Sequence, residues 1–212
     1  MTNRRAITIV LSIANLCLLV IYASGWIKPS NQDKKQIIQR LTLTKQPVDI
    51  SYKLKGQPLN AHKAERAEEG TRADEFDGDQ DWVKELTVKL RNTSGKTITY
   101  IQLNLHFPEV TQNGRTALKQ VFLGVDPDGK FSRPELRLPP NETIEIPLTE
   151  KYEDIKSLIE TVGKKPLGNV TKLWVEFHAA LFDDGTLFET GTWYKRNTDQ
   201  NDPRKWIQID KH

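Results

Sequence analysis

Residues Ala6 to Tyr22, AITIVLSIANLCLLVIY, carry no charge, and their only polar side chains are Thr8, Ser12 and Asn15. As a helix with a rise of about 1.5 Å per residue, the run spans roughly 26 Å, close to the hydrocarbon thickness of a bilayer. A segment crossing lipid must satisfy its own backbone polar groups, so it has to be helical. Arg4 and Arg5 precede the run and favour a cytoplasmic N-terminus, which places the rest of the chain in the periplasm or outside the cell. Trp26 and Lys28 follow it as an interfacial aromatic and a snorkelling cation. A cleaved secretory signal is the competing reading, with small Ala23, Ser24 and Gly25 at the cleavage end. Both readings export the C-terminal part. The expected organisation is a single-pass anchor or signal over 1–27, a solvated juxtamembrane linker over 28–47 and an exported domain over 48–212.

Charge and cysteine content narrow what that domain does. The formal net charge is +3, and Arg4 and Arg5 lie ahead of the apolar run, so the remainder is close to neutral and has no basic footprint for nucleic acid. The one cysteine, Cys17, lies inside the apolar run. The exported part therefore has no disulfide, cysteine nucleophile or cysteine-based metal site, and a hydrophobic core must hold it together.

Beyond the linker the dominant pattern is alternation. Val48, Ile50, Tyr52 and Leu54 alternate with polar residues as a first strand. Residues 55–81 interrupt the pattern and read as a solvated acidic insertion. Asp77, Asp79 and Asp81 begin like a calcium loop, but Trp82 replaces the required glycine and Val88 the bidentate glutamate. Leu86, Val88 and Leu90 then alternate into the turn Asn92-Thr93-Ser94-Gly95-Lys96. A strand over 97–107 follows, with Ile101, Leu103, Leu105 and Phe107 on one face and Gln102, Asn104 and His106 on the other. These two strands read as a hairpin. Ile98 and Tyr100 fall out of phase, which predicts a bulge.

Further strands are expected over 117–125 and 144–148, the second at a sheet edge because Pro147 cannot donate to a ladder. Residues 151–162 form the one convincing helix, with Tyr152, Ile155, Leu158, Ile159 and Val162 at helical spacing and Gly163 placed to end it. A last hairpin, 172–183 and 186–195, turns at Asp184-Gly185. A two-residue turn puts Leu173, Val175, Phe177, Ala179 and Leu181 on the core face and leaves Trp174, Phe182, Leu187 and Trp193 on the other. A slip to a three-residue loop exchanges the second strand's faces. Lys205 to Asp210 supplies a short final strand.

Two stretches carry a family resemblance. VKLRNTSGKTITYIQLNLHF, Val88 to Phe107, and LPPNETIEIPL, Leu138 to Leu148, resemble immunoglobulin-like bacterial envelope modules of the FxLYD type and the related water-stress sandwiches. The resemblance implies an immunoglobulin-like antiparallel β-sandwich with a binding or scaffolding role, and it brings no catalytic residues. The expected fold is thus mainly β, with one helix, behind a single transmembrane helix.

Catalytic and metal chemistry find little support. No GxSxG or glycine-rich phosphate loop occurs, and the histidines are His62, His106, His178 and His212. His106 and His178 face outward and become near neighbours if their strands pair, but no third ligand has a recognisable spacing. Adjacent Asp183 and Asp184 suit a turn better than acid-base work. The chain is expected to act by binding, without enzyme activity, cofactor or metal. One reading is an accessory or scaffolding subunit of a membrane protein assembly. Ser12 and Asn15 would then contact neighbouring membrane helices, and Trp174, Trp193, Phe182 and Leu187 would dock on a partner. The alternative for those apolar side chains is burial inside the domain. The other functional reading is a self-sufficient anchored module that binds a soluble peptide or glycan through loops at one end of the sandwich.

Overall fold

The structure, a computed structural model, describes residues 34–41, 45–59, 62–63, 71–129, 134–199, 202 and 204–209. The chain divides into two units, Met1–Gln32 and Asp33–His212, and every described residue belongs to the second. The apolar run with Ser12 and Asn15 lies outside the described residues. Among those described, no helix is long and apolar enough to cross a membrane.

The described domain is mainly β. Its strands are β1 (Lys34–Leu41), β2 (Val48–Leu54), β3 (Gln57–Pro58), β4 (His62–Lys63), β5 (Thr71–Gly78), β6 (Leu86–Asn92), β7 (Ile98–Gln112), β8 (Arg115–Gly124), β9 (Thr143–Pro147), β10 (Lys172–Phe182), β11 (Thr186–Glu189), β12 (Thr192–Arg196) and β13 (Trp206–Ile209). A four-stranded sheet runs β3-β2-β6-β9 and a nine-stranded sheet holds the rest. The centre of the large sheet is β10, whose sequence KLWVEFHAALF is apolar enough to be covered on both sides. Antiparallel β7 pairs with it from Trp174 to Phe182. On its other side β1 runs parallel to Lys172–Glu176, while β11 pairs antiparallel with Ala179–Leu181. The sheet therefore branches: β5 and β4 extend beyond β1, β12 and β13 extend beyond β11, and β8 closes the far side of β7.

The inner faces of both sheets share one core. Val88 and Leu90 from the small sheet meet Ile101, Leu103, Leu105, Val175 and Phe177 from the large one, all essentially without solvent contact. Trp82, Phe107, Phe177, Phe182 and Phe188 are the largest fully buried side chains, each contributing roughly 1.5–3 kcal/mol by leaving water. Trp82 starts a helical turn (Trp82–Glu85), donates Nε1–H to Val170 O at 3.0 Å and meets Phe76 edge-on. The helix Tyr152–Gly163 adds Ile155 and Ile159 to the core.

Several expectations hold. The strands over 48–54 and 86–92, the edge position of β9 and the helix are all present. The predicted bulge is there as well. The β7–β10 register shifts between Leu181 and Phe182, returning Ile98 to the core while Tyr100 points outward.

Other expectations are corrected. The stretch read as a solvated linker contains β1, and the insertion contains β5, which pairs with β1 along its whole length and buries Ala73 and Phe76. Few apolar residues mark these strands, because neighbours on both sides supply their burial. Strands β6 and β7 are no hairpin, since β6 belongs to the small sheet and β7 to the large one. Asn92 builds the corner between them. Its fully buried amide donates to Lys96 O and Leu138 O and accepts from Ser94 N–H and Oγ–H. The strand expected over 186–195 is two strands, because Thr190 and Gly191 both take positive φ and turn the chain back. Lys164, rather than Gly163, adopts the left-handed cap of the helix (φ 51°). Gly163 is needed for close approach, since a Cβ there would stand 2.7 Å from Val110 Cγ1.

Candidate functional site

The outer faces of the two sheets differ in chemistry. On the small sheet, Asp49, Ser51, Lys53, Thr87, Lys89, Arg91, Thr143 and Glu145 form a polar surface, with Lys53 Nζ 2.6 Å from Glu145 Oε1. The large sheet presents an ordered polar band and an apolar cluster, whose Tyr100, Ala179 and Leu187 are buried within the chain. The segment after β8 reaches β12 and β13, where Arg196 Nη1–H donates to Pro127 O and Lys205 Nζ–H to Asp128 Oδ1.

The band is centred on Glu176 of β10. Asn104 of β7 donates Nδ2–H to Glu176 Oε2 at 3.0 Å, and His106 donates Nε2–H to the same oxygen at 2.8 Å. His178 Nδ1 stands 3.5 Å from the other oxygen, and His178 Nε2 stands 3.9 Å from Glu189. Gln102 continues the line by donating to Asn104 Oδ1, and Tyr100 OH donates to Gln102 Oε1. The side chain of Glu176 is only 18% exposed. Burial alone would raise its pKa, but the bonds from Asn104, His106 and His178 outweigh it and hold the carboxyl below its ordinary value. The carboxylate stays ionised, orients the His106 imidazole and stands beside that of His178. Trp174 sits at the end of the band beside His106.

A bulge positions His178. Phe177 pairs with Leu103 and Ala179 with Gln102, so β10 carries one residue more than β7 at this point. That extra residue changes the phase of the strand. Leu173, Val175 and Phe177 face the core before the bulge, whereas Ala180 and Phe182 face it afterwards. Ala179 and Leu181 consequently turn outward and join Tyr100, Leu187, Phe122, Tyr194 and Trp206 in the outer apolar cluster.

This change of phase separates the four residues expected to form one docking face. Phe182 and Trp193 lie in the core, their rings stacked with centroids 5.1 Å apart, and Phe188 meets Trp193 edge-on. Leu187 lies in the outer cluster and Trp174 at the far end of the polar band. The β10–β11 connection is the three-residue loop Asp183-Asp184-Gly185, as Leu181 pairs with Leu187 and Gly185 N–H donates to Phe182 O. Asp184 is a turn residue with a structural task. It holds Lys96 Nζ at 2.6 Å, and Lys96 lies over both the Phe182 and Trp193 rings. Burial would raise the Asp184 pKa, but Lys96 and Thr186 prevail and keep it low.

His106 and His178 do come close, each against Glu176 rather than against each other. The sequence pattern places Asn104, Gln102 and His106 on one face, but Glu176 escaped notice because its role appears only once β7 and β10 are paired. Among the described residues, no group of three or more potential ligands is arranged to hold a metal ion. Asp77 is exposed, while Asp79 pairs with Lys55 at 2.8 Å. A cleft of about 220 Å³ opens between the sheets beside β2, where Arg40 Nη1–H donates to Ile50 O and covers part of the strand edge. No family model, curated protein or solved structure matches the chain.

Proposed function

We propose that the chain is a non-catalytic, membrane-anchored extracytoplasmic protein serving as an accessory or scaffolding subunit of a membrane protein assembly, and that it docks through the outer face of its large sheet. The observation carrying this reading is the contrast between the two outer faces. One is uniformly polar, whereas the other sets seven apolar or aromatic residues, Tyr100, Ala179 and Leu187 buried and the other four half-buried, beside a preorganised band. The apolar run at Ala6–Tyr22 supports the anchor, with Ser12 and Asn15 available to bond to neighbouring membrane helices. We further propose an immunoglobulin-like sandwich, with which two sheets around one core agree. The parallel pairing of β1 with β10 is an addition to a purely antiparallel sandwich.

Purification of the full chain in mild detergent, with mass spectrometry of co-purifying proteins, tests the reading. Integral-membrane companions should be present in fixed ratio and should be lost from a Tyr194→Lys variant that keeps its fold. Recovery of the wild-type chain without a companion would sink the heteromeric assembly. A second reading, a self-sufficient module for a soluble peptide or glycan, draws on Trp174 beside the His106-Glu176 band. It moves the binding surface from the loops to the sheet face, and titration with candidate ligands while Trp fluorescence is followed would reveal it.

A further inference from the structure

The cleft of about 220 Å³ at the edge of β2 is lined from both sheets. Strand β3 pairs only with Lys53 and Leu54, so Val48–Tyr52 has no strand beside it on that side. Its carbonyls there are nonetheless met. Gln46 Nε2–H donates to Val48 O at 2.8 Å, Arg40 Nη1–H to Ile50 O at 2.7 Å and Leu59 N–H to Tyr52 O at 3.0 Å. An added strand would find no free row of acceptors. Charge is what the cleft leaves unmatched. Half-buried Arg40 has five N–H donors, gives one to Ile50 O and forms no ion pair among the described residues, although Asp74 lines the same cleft. Its Nε–H is shielded from solvent and has no acceptor among them either. Lys53 and Lys89 share the one carboxylate of Glu145, at 2.6 and 3.8 Å. The exposed Ser51 hydroxyl has no hydrogen-bond partner among the described residues. Three cations thus stand against two carboxylates. We propose that this cleft binds a carboxylate carried on a short apolar stem, from a free small organic acid or from the C-terminus of a peptide. The site is separate from the outer face of the large sheet and does not depend on docking there.

Charge, size and lining select that ligand. A half-buried guanidinium without a counter-ion is costly, and a carboxylate relieves it through charge-assisted bonds from the N–H groups that Ile50 leaves free. An excess of one positive charge suits a monoanion. A phosphate monoester carries about −1.5 to −2 at pH 7 and would turn the cleft net negative. Pockets for drug-sized ligands run to about 300–1,000 Å³, and this cleft is smaller, so the stem is short. Ile50, Pro58 and Leu59 give it apolar walls beside the charge. Arg40 comes from β1 of the large sheet, whereas Ser51 and Lys89 are cross-strand partners in the small one. A ligand held by both therefore ties the two sheets together at their open edge.

The test is isothermal titration of the full chain, in a nonionic detergent, with sodium butyrate at an ionic strength held constant by sodium chloride. The wild type should bind butyrate saturably with a Kd on the order of 1 mM, and Arg40→Gln should weaken binding at least tenfold. Lys195→Gln, which removes a cation from β12, should leave binding unchanged. Lys89→Gln should weaken it at least threefold, and it decides the matter if Arg40→Gln loses its circular dichroism. A wild type that binds no butyrate overturns the proposal. So does an Arg40→Gln variant, or in its place Lys89→Gln, that binds as the wild type does, and so does an equal loss in Lys195→Gln. Inorganic phosphate binding more tightly than butyrate overturns the carboxylate. Acetyl-alanyl-valine and its C-terminal amide separate the two sources. A peptide acid tighter than butyrate names a peptide C-terminus, one no tighter names a free small acid, and an amide that binds as well as the acid overturns the proposal.

Discussion

Replacing Trp193 and Trp174 by alanine, separately, asks whether the bulge at His178 and the three-residue loop place these side chains as described. Trp174 lies between Leu173 and Val175 and Trp193 between Thr192 and Tyr194, and neither pattern by itself says which ring enters the core. Trp193 is 6% exposed, stacked on Phe182 at 5.1 Å and edge-on to Phe188 at 5.3 Å. Truncating a buried aromatic of this kind costs about 3–5 kcal/mol, and the lost ring pairs lie within that range. Trp174 is half-buried on the outer face, so its truncation removes partial burial and should cost about 1 kcal/mol. For a domain of this size each kcal/mol moves the melting temperature by about 2–4 °C, so Trp193→Ala should fall roughly 6–20 °C and Trp174→Ala only a few degrees. Urea unfolding followed by far-ultraviolet circular dichroism measures both without relying on the altered fluorophores. Equal losses, or a loss below about 1 kcal/mol for Trp193→Ala, would refute the placement.

Glu176→Gln keeps the shape of the band but removes the charge that His106 and Asn104 bond to, and should cost about 1.5–3 kcal/mol at pH 7. The folded pKa of Glu176 lies below its ordinary 4.5, so its contribution is fully present above that value and is lost as pH falls through the folded pKa. The gap in stability between the wild type and the variant should therefore begin to narrow as the pH falls below 4.5, and a gap that is constant down to pH 3 would contradict the assignment. Asn92→Ala removes one of two donors to Leu138 O and to Lys96 O and leaves Ser94 N–H without its acceptor, and should cost about 2–3 kcal/mol in the same urea assay. A cost under about 1 kcal/mol would mean that the inter-sheet corner does not depend on it. Gly124→Ala should abolish folded protein, because φ is +77° and a Cβ would lie 2.1 Å from Thr99 O. Gly56→Ala, with φ +75° in open space, should cost only about 1–2 kcal/mol. Equal thermal stability of the two glycine variants would remove the steric argument.

What the sequence determined by itself was local. Period-two alternation located β2, β6, β7 and β10, the 3.6-residue stripe located the helix over 152–163, and Asp184-Gly185 marked a reversal, because side-chain direction and backbone φ are set within a few residues. The pattern of β7 even exposed its bulge, since Ile98 and Ile101 could not both be buried in a regular strand. Tertiary structure decided which strands pair and in what phase. A turn such as Asn92–Lys96 can close a hairpin or carry the chain from one sheet to the other, and the choice rests on Leu138 and β9, distant in sequence. The bulge on β10 leaves no mark in a run as apolar as KLWVEFHAALF, yet it decides that Phe182 enters the core and that Leu181 faces outward. Strands β1 and β5 form because they are partners, each too sparse in apolar residues to announce itself. The Glu176 band has the same origin: Asn104, His106 and His178 become its hydrogen-bonding and charge partners only when β7 lies against β10, and that register is a long-range energetic outcome rather than a local preference.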